Sequence, residues 1–97
     1  MSRYNIYTIC FTRTSKKQFE SLPSKIKKEI AKILEEEIAH NPLLGKPLQG
    51  ALKGLRSQRI GNLRIIYQII KNELVIIVIN LEHRKKVYQG LKLKKKC

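Results

Sequence analysis

Apolar and polar residues alternate along the first half of the chain in a pattern that predicts one strand followed by two helices. Residues 4–12 are mostly β-branched or aromatic, which favours a strand. Hydroxyl side chains within 12–15 can cap a short helix over 16–22. A longer helix begins at Pro23, because the apolar residues that follow recur at the helical period and form one stripe. The stripe consists of Ile26, Ile30, Ile33, Leu34 and Ile38.

Three strand-like segments follow a loop at 45–50. They span 53–60, 63–70 and 74–81. Gly61-Asn62 forms a hairpin turn between the first two, since both residue types tolerate positive φ, and Lys71-Asn72 forms the second turn. The pattern predicts an α+β fold in the order β-α-α-β-β-β, with two N-terminal helices packed on one face of a small, mostly antiparallel sheet. A short C-terminal element is compatible with this order.

Alternation along 63–70 assigns its side chains to the two faces of the sheet. The residues that point toward the helices are Leu63, Ile65, Tyr67 and Ile69. The opposite face carries Arg64, Ile66, Gln68 and Ile70. Because that second set is half polar, we expect it to form an open face.

Two arginines flank the first turn. An even-length turn at Gly61-Asn62 places Arg59 directly opposite Arg64, on one face of the sheet. Like charges opposed across two strands cost about 0.2–1 kcal/mol, so we expect an anion to lie between them. With turns at 61-62 and 71-72, Arg64 also lies opposite Ile79 in the last strand. That strand then leaves the sheet beside Arg64. That end of the sheet then collects further candidate site residues, namely His83, Arg84, Lys85, Lys86 and Tyr88, with Lys53 and Arg56 further along the neighbouring strand.

Length and charge narrow the class of partner. The 97 residues fit one domain, with a flexible basic tail at about 91–97, and 21 Lys and Arg against 7 Asp and Glu give a net charge of +14. Such a charge favours nucleic acid, an anionic membrane or an acidic protein partner. No segment approaches the roughly 18–20 apolar residues that span a bilayer, and the N-terminus lacks a signal-peptide apolar region, so we expect a cytoplasmic protein.

The remaining candidate chemistry is sparse. The two cysteines, Cys10 and Cys97, suggest neither a disulfide nor a metal site, and no histidine lies at ligand spacing from them. We therefore expect no metal and no cofactor. Arginines bind phosphate with a bidentate fork, and RNA carries its own nucleophile in the 2′-OH. His83 and Tyr88 could move protons in such a reaction.

Structural interpretations of the same residues stay open. Arg64 could be a solvated strand residue paired with Glu73 or Glu82. The lysines at 85 and 86 could be non-specific phosphate anchors, and Tyr88 could fill the core.

Three segments resemble the RelE/ParE superfamily of bacterial and archaeal toxins. They are GKPLQG at 45–50, LRSQRIGNLRIIY at 55–67 and HRKKVY at 83–88. The last segment is closer to the RelE branch. The resemblance implies a microbial-RNase-type α+β fold and a toxin of a type II toxin–antitoxin system that cleaves mRNA in the ribosomal A site. It further implies a metal-independent endoribonuclease that leaves a 2′,3′-cyclic phosphate, with an acidic RelB-like antitoxin as its partner.

The resemblance also implies roles for individual residues. Arg64 matches the phosphate-stabilising arginine of the family, Arg84 matches the arginine after the last strand, and Tyr88 matches its near-terminal tyrosine. The family often carries lysines for proton transfer in the strand that here contains Lys53, Arg56 and Arg59, with Leu55 and Ser57 interleaved. This departure leaves the general base open, with His83 a candidate. The alternatives are a ParE-like toxin that inhibits DNA gyrase without nuclease activity, and a plain basic RNA-binding module.

Overall fold

The structure, a computed structural model, describes residues 6–83, with side chains described as far as Leu81. Its strands are β1 (Thr8–Phe11), β2 (Lys46–Pro47), β3 (Leu55–Ile60), β4 (Leu63–Ile70) and β5 (Val75–His83), and its α-helices are α1 (Arg13–Glu20) and α2 (Ser24–Ile33). A π-helical turn, Leu34–Ile38, extends α2, and 3₁₀ turns span Pro42–Leu44, Gly50–Leu52 and Lys71–Glu73. Within this part of the chain, no helix has the length and apolarity needed to cross a membrane.

The five strands form one sheet in the order β1-β5-β4-β3-β2. β1 pairs with β5 in parallel, and the other three pairs are antiparallel. The predicted α+β fold is therefore confirmed, with one strand that the sequence pattern missed. β2 has two residues, which is too short to show alternation. Its Pro47 is compatible with an edge strand, because no other strand of residues 6–83 pairs with the outer side of β2.

Hydroxyl side chains fix the start of α1 and attach it to the sheet. α1 begins at Arg13, three residues before the predicted start, because Thr12 is the N-cap. The Thr12 side chain accepts from the Ser15 N–H at 3.1 Å, and Ser15 Oγ accepts from the Thr12 N–H at 3.0 Å. Ser15 Oγ also donates to the Val78 carbonyl at 2.6 Å, which ties the first turn of α1 to β5. Pro23 precedes α2, as predicted.

The helix-facing side of the sheet holds the larger core. Its β4 members are Leu63, Ile65, Tyr67 and Ile69, as predicted from alternation. The α2 stripe covers them, with Ile30 and Ile38 fully buried and Leu34 2% exposed. The helical period of the sequence therefore identified the residues that join the two layers.

The opposite face of the sheet is not open along its whole length, so that prediction is wrong. Ile66 is fully buried there in a second cluster with Leu55, Ile77 and Ile79. Leu48 and Leu52, from the segment around the second 3₁₀ turn, pack against this cluster. Arg59 remains exposed and Arg64 partly exposed on this face, at the hairpin end of β3 and β4.

The pairing of β4 with β5 also differs from the prediction. Arg64 lies opposite Glu82, not Ile79. Ile70 pairs with Val75, so the connection is longer than the predicted two-residue turn and closes with Leu74 in the left-handed region at φ 55°. A bulge between Ile66 and Tyr67 adds one further residue to the offset.

The expectation for Cys10 is wrong as well. Cys10 lies in β1 and is disulfide-bonded. The other cysteine of the chain, Cys97, lies outside the described residues.

Candidate anion-binding site

The β3–β4 hairpin brings the two predicted arginines together. Arg59 and Arg64 are directly paired across the strands, as expected. Gly61 supplies the positive φ of the turn, at 58°. A residue with a Cβ is strained in that conformation, so the turn depends on glycine at this position. The close pairing of two like charges is therefore built into the backbone.

Arg59 makes one weak hydrogen bond within the described part of the fold. Its side chain is exposed, and its Nε donates to the Gly61 carbonyl at 3.4 Å. That distance exceeds the usual range for an N–H···O hydrogen bond, about 2.7–3.2 Å, so the contact is weak. Within the part of the chain that the structure describes, the Arg59 guanidinium makes no other hydrogen bond, so its remaining N–H groups can donate to an anion.

Arg64 is partly buried and its guanidinium is incompletely satisfied. Its Nη1 donates to Ser57 Oγ at 3.2 Å. Its Nε is buried, and no group among the side chains described, which end at Leu81, accepts a hydrogen bond from it. An unpaired buried donor on a charged group costs about 1–3 kcal/mol or more. Arg64 Nε is therefore a donor that the described side chains leave without an acceptor.

An open cavity of about 90 Å³ lies at this end of the hairpin. Its lining comprises Arg59, Gly61, Asn62, Leu63 and Arg64. One water molecule occupies about 30 Å³ in the liquid, so the cavity can hold a small anionic group such as a phosphate. Both arginines of the pair therefore belong to the lining of this space.

The end of β5 reaches the same edge of the sheet, as the sequence predicted. The backbone of His83 pairs with Leu63, and that of Glu82 pairs with Arg64. Glu73 lies in the turn beyond the other end of β4, nine residues from Arg64, and the last residue of β4, Ile70, is already about 20 Å from Arg64 along the strand. Of the two acidic partners considered for Arg64, the register thus leaves only Glu82 nearby. Four predicted site residues lie outside the described residues: Arg84, Lys85, Lys86 and Tyr88.

Arg56 belongs to a different contact network. It is paired with Tyr67, on the helix-facing side of the sheet, whereas Arg64 projects from the opposite face. Arg56 Nε donates to the Gly45 carbonyl at 2.9 Å and Nη2 donates to the Leu43 carbonyl at 3.2 Å. Its predicted phosphate contact stays a prediction, and its fork holds the loop before β2.

Tyr67 anchors that loop from inside the core. Its hydroxyl donates to the Pro42 carbonyl at 2.6 Å and accepts from the Gly45 N–H at 2.9 Å. Burial raises the pKa of Tyr67, whereas the hydrogen bond from Gly45 and the nearby charge of Arg56 each lower it by a smaller amount. A Cβ at Gly45 would lie 2.6 Å from the Tyr67 hydroxyl, so only glycine fits there. The loop is consequently held at a fixed position beside β3.

The predicted basic residues are thus divided by the structure. Arg59 and Arg64 share the cavity, whereas Lys53 precedes the opposite end of β3 and is exposed. Ser57 is a site residue that sequence reasoning missed as a partner of Arg64. The signal was present, since Ser57 and Arg59 share one face by alternation, but a serine in a strand carries no charge pattern to single it out.

Comparison with known proteins identifies the family of this chain. The family described as "ParE toxin of type II toxin-antitoxin system, parDE" matches residues 9–88. The chain belongs to this toxin family. Within the RelE/ParE superfamily, it is 30% identical to toxin RelG of Mycobacterium tuberculosis over 84 residues, covering 86% of this chain and 97% of that protein. It is 31% identical to toxin RelE of the same organism over 90 residues, covering 92% and 93% of the two chains.

Solved structures of such toxins share the fold. The M. tuberculosis RelBE2 toxin–antitoxin complex gives a TM-score of 0.76 at 30% identity, covering 81% of this chain and 99% of that one. The isolated Escherichia coli RelE toxin gives 0.70 at 22% identity, with coverages of 79% and 83%. These likenesses confirm the predicted fold and the predicted resemblance. The protein is a RelE-like toxin of a type II toxin–antitoxin system.

Proposed function

We propose that this toxin is a metal-independent endoribonuclease that cleaves mRNA in the ribosomal A site and so inhibits translation. The observation that carries the proposal is the Arg59–Arg64 pair around a phosphate-sized cavity, with Arg64 Nε unpaired within the described residues. Similarity to RelE-type toxins supports the same class of activity.

The chemistry follows from what an arginine pair can do. Arg64 and Arg59 hold the non-bridging oxygens of the scissile phosphate and stabilise the charge that grows on them in the pentacoordinate transition state. The 2′-OH attacks the phosphorus, its proton leaves to a base, and the 5′-oxygen of the next nucleotide departs with a proton. The product ends are a 2′,3′-cyclic phosphate and a 5′-OH. His83 and Tyr88 are the proposed proton-transfer groups, together with Arg84 as a further phosphate contact.

Cleavage of a defined mRNA on programmed ribosomes tests this proposal. We expect cuts at the A-site codon with wild-type protein and a reduction of at least 100-fold with Arg64→Ala, since removing one transition-state donor costs about 10²–10³ in rate. Arg13→Ala is a matched control, because Arg13 is an exposed arginine at the start of α1. Intact message with folded wild-type protein would refute the nuclease assignment.

Analysis of the cut ends tests the mechanism separately. A 2′,3′-cyclic phosphate with a 5′-OH is expected from 2′-OH attack. A 3′-OH with a 5′-phosphate would instead indicate attack by water and would contradict the proposed reaction, even if cleavage occurs.

The partner that restrains the toxin is proposed to be an acidic RelB-like antitoxin. The net charge of +14 favours an acidic binding segment, and the structures of similar toxins include complexes with antitoxins. Coexpression with an acidic RelB-like antitoxin should yield a stable complex that relieves growth arrest.

Inhibition of DNA gyrase is the second candidate, because the matching family is described as ParE. A supercoiling assay separates the two activities. Inhibition of gyrase at the protein concentration that leaves ribosome-bound mRNA intact would favour the gyrase target.

A further inference from the structure

Ser57 lies against the guanidinium of Arg64. Its Oγ accepts a hydrogen bond from Nη1 at 3.2 Å, and the residue is 5% exposed. The backbone at this point is paired on both sides, with Lys46 in β2 and Ile66 in β4. A serine held between two paired strands offers its hydroxyl from a fixed position.

The hydrogen bond engages one particular edge of the guanidinium. Nε and Nη2 form the parallel side-on fork that binds two oxygens of a phosphate or carboxylate. Ser57 occupies Nη1, which leaves that fork to another partner. Among the side chains described as far as Leu81, the buried Nε has no acceptor, so the donor that the fold leaves unused belongs to the edge suited to bidentate binding.

A hydroxyl differs from a carboxylate in this position. It restrains the rotation of the Arg64 side chain without itself carrying a charge that would neutralise the guanidinium. A long arginine side chain loses rotamer entropy when it is fixed. Fixing it before the ligand arrives removes part of that loss from the binding step.

We infer that Ser57 is a positioning residue, whose hydroxyl holds Arg64 with its Nε–Nη2 edge turned toward the phosphate of the bound RNA. The identity of the anion rests on the proposed function, whereas the coupling between Ser57 and Arg64 does not. Ser57 itself does not touch the reacting atoms.

A double-mutant cycle tests the coupling in the full-length protein. The variants are Ser57→Ala, Arg64→Ala and the pair, and the measurement is affinity for a fluorescent single-stranded oligoribonucleotide at fixed salt. We expect Ser57→Ala to weaken binding about tenfold with Arg64 present, as for loss of a hydrogen bond to a charged group, and to have no effect without it. An equal effect in both backgrounds would overturn the inference.

Two further variants separate positioning from a general packing role. Ser57→Thr retains the hydroxyl and suits a strand, so it should restore affinity to within about threefold of wild type. Ser24→Ala, at an exposed serine in the first turn of α2, should leave affinity unchanged. Urea unfolding of each variant identifies any loss of fold. A threonine variant that is as stable as wild type but binds as weakly as Ser57→Ala would count against a role for the hydroxyl.

Titration with inorganic phosphate keeps this test independent of cleavage. In ¹⁵N spectra, the Arg64 Nε–H signal should shift on addition of phosphate in wild type and require about tenfold more phosphate in Ser57→Ala. If the protein fails to cut mRNA but shows this coupling, the proposed function fails and the positioning role stands. If it cuts mRNA and the cycle shows no coupling, the positioning role fails and the proposed function stands.

Discussion

Replacing Arg59 by glutamine should make the protein more stable and a poorer anion binder. The change removes one of two like charges that the hairpin places directly opposite each other. It removes little else, because the hydrogen bond of Arg59 within the described residues is the 3.4 Å contact with Gly61. Glutamine retains a polar side chain that suits an exposed strand position.

The expected gain follows from the cross-strand geometry. Like charges directly opposite each other cost about 0.2–1 kcal/mol, which sets the rise in unfolding free energy for Arg59→Gln at low salt. For a domain of this size, 1 kcal/mol moves the Tm by about 4–8 °C, so we expect a rise of about 1–8 °C. The gain should shrink as salt increases, since the Debye length falls from about 10 Å at 0.1 M to about 3 Å at 1 M.

Thermal unfolding followed by circular dichroism measures this change, with Lys71→Gln as the matched control. Lys71 is exposed and lies in the turn at the other end of β4, so its replacement lowers the net charge equally without touching the pair. Inorganic phosphate, compared with chloride at equal ionic strength, should raise the Tm of wild type more than that of Arg59→Gln, because it binds the folded pair. If Arg59→Gln is no more stable than Lys71→Gln, or if phosphate stabilises both proteins equally, the reasoning is refuted.

Three further predictions concern the supports of the site. Tyr67→Phe leaves the Pro42 carbonyl and the Gly45 N–H without their partner, and should lower the unfolding free energy in urea by about 2–4 kcal/mol. Burial raises the pKa of Tyr67 above its ordinary 10.0. The contribution of the protonated hydroxyl to the unfolding free energy is therefore present below pH 10 and is lost as pH rises through the raised pKa. Phenylalanine does not titrate, so the loss of stability at alkaline pH should be smaller in Tyr67→Phe. Gly45→Ala places a Cβ 2.6 Å from the Tyr67 hydroxyl and should cost about 1–3 kcal/mol, measured in the same titration. Gln18→Ala removes the acceptor that takes the Leu81 N–H at 2.8 Å and should lower stability by about 1–3 kcal/mol, with faster hydrogen exchange at that amide. A loss below about 0.5 kcal/mol in any of these variants would contradict the role given to that contact.

Local patterns predicted the secondary structure well where one period dominates. The apolar stripe of α2 identified Ile30, Leu34 and Ile38 as core residues, and alternation along β4 assigned its helix-facing side chains correctly. The start of α1 was misplaced, because Thr12 and Ser15 can each cap a helix, and the choice depends on the contact of Ser15 with Val78. β2 was missed because its two residues pair only in the context of the folded sheet.

For the candidate site, too, the features set by local sequence were predicted and those set by distant pairing were not. The pairing of Arg59 with Arg64 followed from a two-residue turn, in which the contact lies within six residues of sequence. The pairing of Arg64 with Glu82 depended on a longer turn and a bulge, and each inserted residue shifts the register by one. The roles of Arg84 and Tyr88 stay predictions, since both lie outside the described residues.

The sequence by itself determined the two arginines at the hairpin, the helical stripe and the basic charge, because turns, periods and composition are local properties of the chain. Only the tertiary structure decided that Ser57 holds Arg64, that Arg56 serves the Gly45 loop, and that a second apolar cluster covers much of the other face. Those outcomes depend on which strands become neighbours and in which register. Packing over the whole sheet sets both, and no short segment contains that information.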